Sequence, residues 1–183
     1  MEYFFILPGF LALVAVWFVF VYNGLIALRN RVEEAWSDIE VQLKRRYDLI
    51  PNLMETVKGY AKHEEGVFTK VTEARTAAMG AQTMSEHAET ENMLSQSLKS
   101  LFAVAENYPQ LRASDNFLDL QRNLTDAEDK IQASRRFYNG NVRDFNTKLQ
   151  VFPTNLIAGM FGFIKRDFYD APDVVNETPK VSF

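Results

Sequence analysis

The chain has 183 residues, 47% of them apolar, a formal net charge of −4 and no cysteine. That length and apolar content suit one domain of ordinary size with a small extra element. The acidic balance argues against a nucleic-acid binder, which needs a basic face to displace counterions from phosphates, and the missing cysteines exclude disulfides, thiolate metal sites, cysteine nucleophiles and a lipidated N-terminal cysteine.

From Tyr3 to Leu28 no side chain is charged. At about 1.5 Å per residue this run is longer than the roughly 30 Å hydrocarbon core of a bilayer, so it is expected to be a transmembrane anchor over residues 1–28. A cleaved signal peptide would need a basic n-region, and the start of the chain offers only Glu2. Arg29 and Arg31 follow the run directly. By the positive-inside rule the N-terminus lies outside and the following domain on the cytoplasmic side.

After the anchor the apolar period is helical. Leu25, Leu28, Val32, Ala35, Ile39 and Leu43 are spaced by three or four, which carries the membrane helix into a cytoplasmic one without a linker. Pro51 lacks an N–H and its ring crowds the carbonyl of Tyr47, which predicts a turn over Asp48 to Pro51, with a hard kink as the alternative. A second helix then carries Leu53, Val57, Tyr60, Ala61, Phe68 and Val71, with Gly80 as its cap and Ser85 with Glu86 opening the next. The third shows Leu94, Leu98, Leu101, Phe102 and Ala105 and ends near Pro109. The fourth, capped by Ser114 or Asp115, has a seam from Phe117 to Leu149 broken only by Ser134, roughly 50 Å of helix at ~1.5 Å per residue. Pro153 stops it, Thr154 or Asn155 caps a short apolar segment, and residues 171–183 read as a loose tail.

Four helices with short joints predict an all-α fold, the anchor continuing into an antiparallel up-and-down four-helix bundle over residues 29–170. In that topology the Pro51 turn and the segment around Pro109 share the membrane-distal end. Arg45, Arg46, Tyr47, Asp48, Leu49 and Ile50, with Glu106, Tyr108 and Leu111, are the expected partner-binding surface there. At the membrane-proximal end Phe161, Phe163, Lys165, Arg166 and Phe168 combine aromatic bulk with basic heads, which suits a bilayer interface. The competing reading of that segment is closure of the bundle's open end.

The residues RNRVEEAWSDIEVQLKRRYDLIPNL, GYAKHE, AVAENYPQLRAS, NFLDLQRNLTDAEDKIQASRRFYNGNV and DFNTKLQVFP, between about Tyr22 and Tyr169, closely resemble the LemA family of bacterial membrane proteins. The resemblance implies an N-terminal membrane helix followed by a helical bundle, and association with a membrane-embedded zinc metalloprotease in envelope stress. Some relatives are lipoproteins anchored through a cysteine, a version from which this chain departs.

The spacings supply no chemistry of their own. A zinc-peptidase helix needs a second histidine four residues after His63, where Val67 stands. A di-iron bundle needs Glu three residues before a histidine, where Tyr60 and Met84 stand. No phosphate-binding Gly-rich loop or nucleophile elbow occurs, so no cofactor and no enzymatic activity are expected. For Lys44, Arg45 and Arg46 there are two readings: cations completing a helix C-terminus, or partners of Asp48, Glu106 or Asp115. Glu128, Arg135 and Arg136 pose a similar question, since Arg135 lies seven residues after Glu128 and so close to its helical face. A self-associating scaffold or adaptor, with lipid and further copies of itself as partners, is the expected function. An accessory that presents substrates to a membrane protease is the alternative.

Overall fold

A computed structural model describes the backbone of residues 3–169 and the side chains from Leu7 onward; the tail expected at 171–183 lies outside the described residues. The chain forms α1 (Tyr3–Lys58), α2 (Glu65–Gly80), α3 (Met84–Ala105), α4 (Pro109–Arg112), α5 (Asp115–Gln150) and α6 (Thr154–Met160). The fold is all-helical, with no strand among the described residues. Two compact units divide it, one combining residues up to Asp38 with Arg136–Phe168, the other holding Ile39–Arg135 with Tyr169.

In the first unit α1 begins with the uncharged run. Leu13, Phe10 and Phe20 are exposed along it, and by length and composition the helix suffices to cross a membrane. Further on, Leu25 packs with Ile157 and Ala158 of α6, flanked by Phe18, Val21, Tyr22, Leu149 and Phe163. Trp36 meets the ring of Tyr138 at 5.7 Å between centroids.

In the second unit most of the expected stripe residues are buried, joined by Ile50, Ala74 and Ala78, while Tyr60 is exposed. Ile39, Leu43, Ile50, Leu53 and Val57 of α1 are buried, as are Phe68, Val71, Ala74 and Ala78 of α2, Leu94, Leu98, Leu101 and Ala105 of α3, and Leu124, Ala127 and Ile131 of α5. Thr83 caps α3, its hydroxyl accepting from the Glu86 N–H at 3.2 Å while the Glu86 carboxylate accepts from the Thr83 N–H at 3.1 Å. This Thr-x-x-Glu capping box lies two residues before the expected Ser85.

The turn expected at Asp48–Pro51 does not form. Helix α1 passes through Pro51 to Lys58, and the chain turns over residues 59–64 instead. Continuing the helix buries Leu53, Met54 and Val57, each contributing roughly 1.5–3 kcal/mol. Together they exceed the ~3 kcal/mol that a helix-interior proline costs. The carbonyl that Pro51 leaves without a donor is that of Tyr47, and Arg75 Nε on α2 donates to it at 2.8 Å. Leu53 and Val57 thus belong to α1, and Tyr60 and Ala61 to the turn.

Candidate functional site

With no helix end near them, Lys44, Arg45 and Arg46 do not complete a C-terminus, and each finds a different acid. Lys44 Nζ, exposed, pairs with Asp48 one turn on at 3.2 Å. Arg45 Nη1 reaches Asp126 on α5 at 2.7 Å, where Lys130 also approaches at 3.0 Å. Hydrogen bonds from Lys130 and Arg45 hold the Asp126 carboxyl below its ordinary pKa.

Arg46 is 1% exposed, and so is its partner Glu91 on α3. Arg46 Nη1 also pairs with Glu128 on α5 at 2.5 Å, with Ser95 Oγ 3.4 Å away. The neighbouring Tyr47 hydroxyl donates to Glu91, with the Ala78 carbonyl oxygen 3.4 Å away. Nearby, the Arg135 guanidinium lies 4.4 Å from the centre of the Tyr169 ring, and Tyr169 is buried. Arg46, Glu91 and Glu128 therefore meet where α1, α3 and α5 each contribute to the second unit, with the Arg46–Glu91 pair buried and Glu128 partly exposed. Burial pulls the Arg46 guanidinium below its ordinary pKa, and Glu128 opposes that. Burial likewise pushes the Tyr47 and Tyr169 hydroxyls up, so both stay protonated near neutrality, Tyr47 as the donor to Glu91.

A local pattern explains why these residues face inward. Arg46 continues the α1 series Ile39, Leu43, Arg46, Ile50, Leu53, and Glu91 heads the α3 series Glu91, Leu94, Leu98, Leu101, Ala105. Each charge occupies a seam position that would otherwise be apolar. The pairing of Arg46 was expected, but with Asp48, Glu106 or Asp115. Glu91 was not expected at all, and extending the Leu94 stripe back by three residues would have found it. Such an ion pair selects helix register more than it adds net stability, because removing the charges from water offsets much of their attraction.

The expected partner-binding residues separate by burial. Arg46, Tyr47, Ile50 and Leu111 are buried, Arg45, Leu49 and Tyr108 are partly so, and Asp48 and Glu106 are exposed. Glu106 pairs with Arg112 across the α3–α4 joint at 3.0 Å. The stretch from Arg45 to Ile50 lies inside α1 and forms no tip. Of the two histidines, His63 is exposed and His87 partly buried. Among the described residues no group of three or more His, Asp or Glu side chains is placed to hold a metal ion.

The aromatic segment after α6 belongs to the first unit. Phe161 packs on Phe18 and Tyr22, with centroids 5.7 and 4.7 Å apart. Phe163 meets Tyr22 at 6.1 Å and Phe145 at 6.4 Å. Asn146, buried on α5, straddles the Arg166 backbone: its Oδ1 accepts from the N–H at 2.9 Å and its Nδ2 donates to the carbonyl oxygen at 2.8 Å. The Tyr138 hydroxyl donates to the Asp167 carbonyl oxygen at 3.0 Å, and the Arg166 side chain reaches Glu33 at 3.1 Å. Lys165 and Phe168 are exposed.

Residues 35–183 match the protein-family model described as the LemA family. The chain belongs to the LemA family. Among relatives of this LemA-family chain, Protein LemA of Metamycoplasma hominis is 27% identical over 176 residues, spanning 94% of this chain and 80% of the relative. Magnetosome protein MamQ 2 of Paramagnetospirillum magneticum is 24% identical over 187 residues, spanning 88% of this chain and 68% of the relative. Magnetosome protein MamQ of Magnetospirillum gryphiswaldense is 22% identical over the same shares. LemA-family proteins are not known as enzymes, and these names describe no enzymatic activity.

Proposed function

We propose that this LemA-family chain is a non-enzymatic membrane scaffold that associates with copies of itself. The uncharged start of α1 anchors it in the bacterial inner membrane, and the helices that follow form an antiparallel four-helix bundle on the cytoplasmic side. The carrying observation is that α1, which begins as an uncharged run of spanning length, also supplies Arg46 to the buried ion-pair cluster without an intervening linker. Partners gripping the helical surface would then be held at the membrane by the same helix. Opposed contact orders support the bundle. Lys58 lies over the Phe68 ring while Tyr47 meets Arg75, so α1 and α2 run antiparallel. Arg29 and Arg31 support the orientation.

The full chain reconstituted in lipid nanodiscs, with its mass measured directly, tests this reading. More than one copy per particle is expected. A single copy at every protein-to-lipid ratio removes the scaffold reading, and co-purification of single copies with a membrane protease would favour the accessory reading instead.

A further inference from the structure

We infer that residues 149–164 form a re-entrant element inserted in the acyl-chain layer beside α1, an inference that rests on α1 spanning the membrane. From Leu149 to Ile164 no side chain is charged, and Lys148 and Lys165 bracket the stretch. One face of α6 is already covered, with Ile157 and Ala158 packed on Leu25. The opposite face is open: Leu156 is 58% and Met160 73% exposed, with Phe152 just before the helix at 77% and Ile164 just after it at 72%. Large apolar side chains grouped in this way on a protein surface mark an interaction site.

The occupant follows from depth and continuity. Phe161 rests on Phe18, which precedes Arg29, the first cation after the run, by about three helical turns, or roughly 16 Å at ~1.5 Å per residue. That is about half of the ~30 Å hydrocarbon layer. At this level α1 itself shows Leu13 and Phe20 open to the surroundings, 71% and 74% exposed. The open face of α6 therefore continues the apolar face of the anchor, and the same acyl chains would cover both. Lys148 and Lys165, at the two ends of the dip, have stems long enough to bring their ammonium groups to lipid phosphates.

The backbone suits such a place. Non-helical backbone at membrane depth is tolerated where protein covers it and its polar groups find partners. Where α6 ends, the Phe161 N–H donates to the Ile157 carbonyl at 3.1 Å, Gly162 to Gly159 at 3.3 Å and Phe163 to Ala158 at 3.0 Å. Gly162 makes this closure with φ +67°, the left-handed conformation that ends many helices and that residues bearing a Cβ resist.

The absence of native cysteine makes the test direct. Single variants Leu13→Cys, Phe152→Cys, Met160→Cys, Ile164→Cys and Arg143→Cys of the full chain carry a nitroxide label. They are reconstituted in vesicles of phosphatidylcholine and phosphatidylglycerol, and each label's collisions with oxygen and with a water-soluble nickel chelate are measured. Labels at 152, 160 and 164 are expected to lose chelate access to the level of Leu13→Cys while remaining open to oxygen, with Arg143→Cys open to the chelate. Chelate access at 160 and 164 equal to that at 143, with 13 protected, overturns the insertion and leaves the anchor standing. Protection from both probes means that protein covers the face, and also overturns it. Chelate access at 13 would overturn the anchor, and this inference with it.

Discussion

Arg75 Nε donates a 2.8 Å hydrogen bond to the carbonyl oxygen of Tyr47, the acceptor that an N–H at Pro51 would otherwise serve. A side chain of α2 thereby replaces a missing rung of α1. Arg75→Met keeps the stem but leaves that carbonyl without its donor, and should destabilise the full chain in detergent by about 1–3 kcal/mol. In Pro51→Ala the helical N–H returns, so the same Arg75→Met change should then have a much smaller effect. Chemical unfolding of the four-member cycle measures this, and additive effects would show that the bond does not compensate for the proline.

The Arg46 cluster makes a prediction of opposite design. Arg46→Ala leaves Glu91 and Glu128 without their shared cation, and should cost about 3–5 kcal/mol, as breaking a buried pair does. Arg46→Met combined with Glu91→Leu removes both buried charges together and should restore much of that loss. If the double variant is as unstable as Arg46→Ala, the charges contribute net stability beyond register.

The buried stripes were legible in the sequence because each repeats every three or four residues over a long helix, as in the Phe117-to-Leu149 seam of α5. The corner was not legible from Pro51. The proline's cost is local and visible in the sequence, whereas the compensating Arg75 lies on another helix and the burial of Leu53 to Val57 depends on tertiary packing. Arg46 was singled out as one of three adjacent cations, yet its neighbours suggested a surface role, and only the positions of Ile39, Leu43 and Ile50 show that it faces inward. Glu91 was concealed for a related reason: among Glu86, Glu89 and Glu91 only its register with Leu94 distinguishes it. The aromatic segment after α6 was visible by composition, but its attachment through Asn146 joins positions that no period connects.

Stability should fall on mild acidification, and His87 sets where. Burial lowers its pKa, Glu40 and Glu86 oppose that, and Arg135 adds to it. The folded state therefore binds this proton less readily than the unfolded chain. The contribution is fully present above the ordinary histidine pKa of about 6.5 and is lost as pH falls through the lower folded value. Glu86, held down chiefly by the backbone N–H groups of Gln82 and Thr83, has the same sign in a more acidic window, beginning near the ordinary glutamate value of about 4.3. Melting temperature measured across pH should flatten in the upper window for His87→Gln and in the lower window for Glu86→Gln. An unchanged slope in either variant would assign the acid sensitivity to other groups.

Asn146 should control how firmly the segment from Phe163 to Phe168 is held. Its amide serves both the N–H and the carbonyl of Arg166, so Asn146→Leu would bury two unsatisfied backbone groups at about 1–3 kcal/mol each. Asn146→Asp keeps the acceptor toward the N–H but turns a carboxylate oxygen toward the Arg166 carbonyl, which repels it, and should be no better tolerated. Arg166→Ala keeps the backbone contact and removes only the partly exposed pair with Glu33, a change worth at most about 1 kcal/mol. Amide hydrogen exchange over residues 163–168 should therefore accelerate strongly in both Asn146 variants and little in Arg166→Ala. Fast exchange confined to Arg166→Ala would mean that the side-chain pair, and not the amide bracket, fastens the segment to α5.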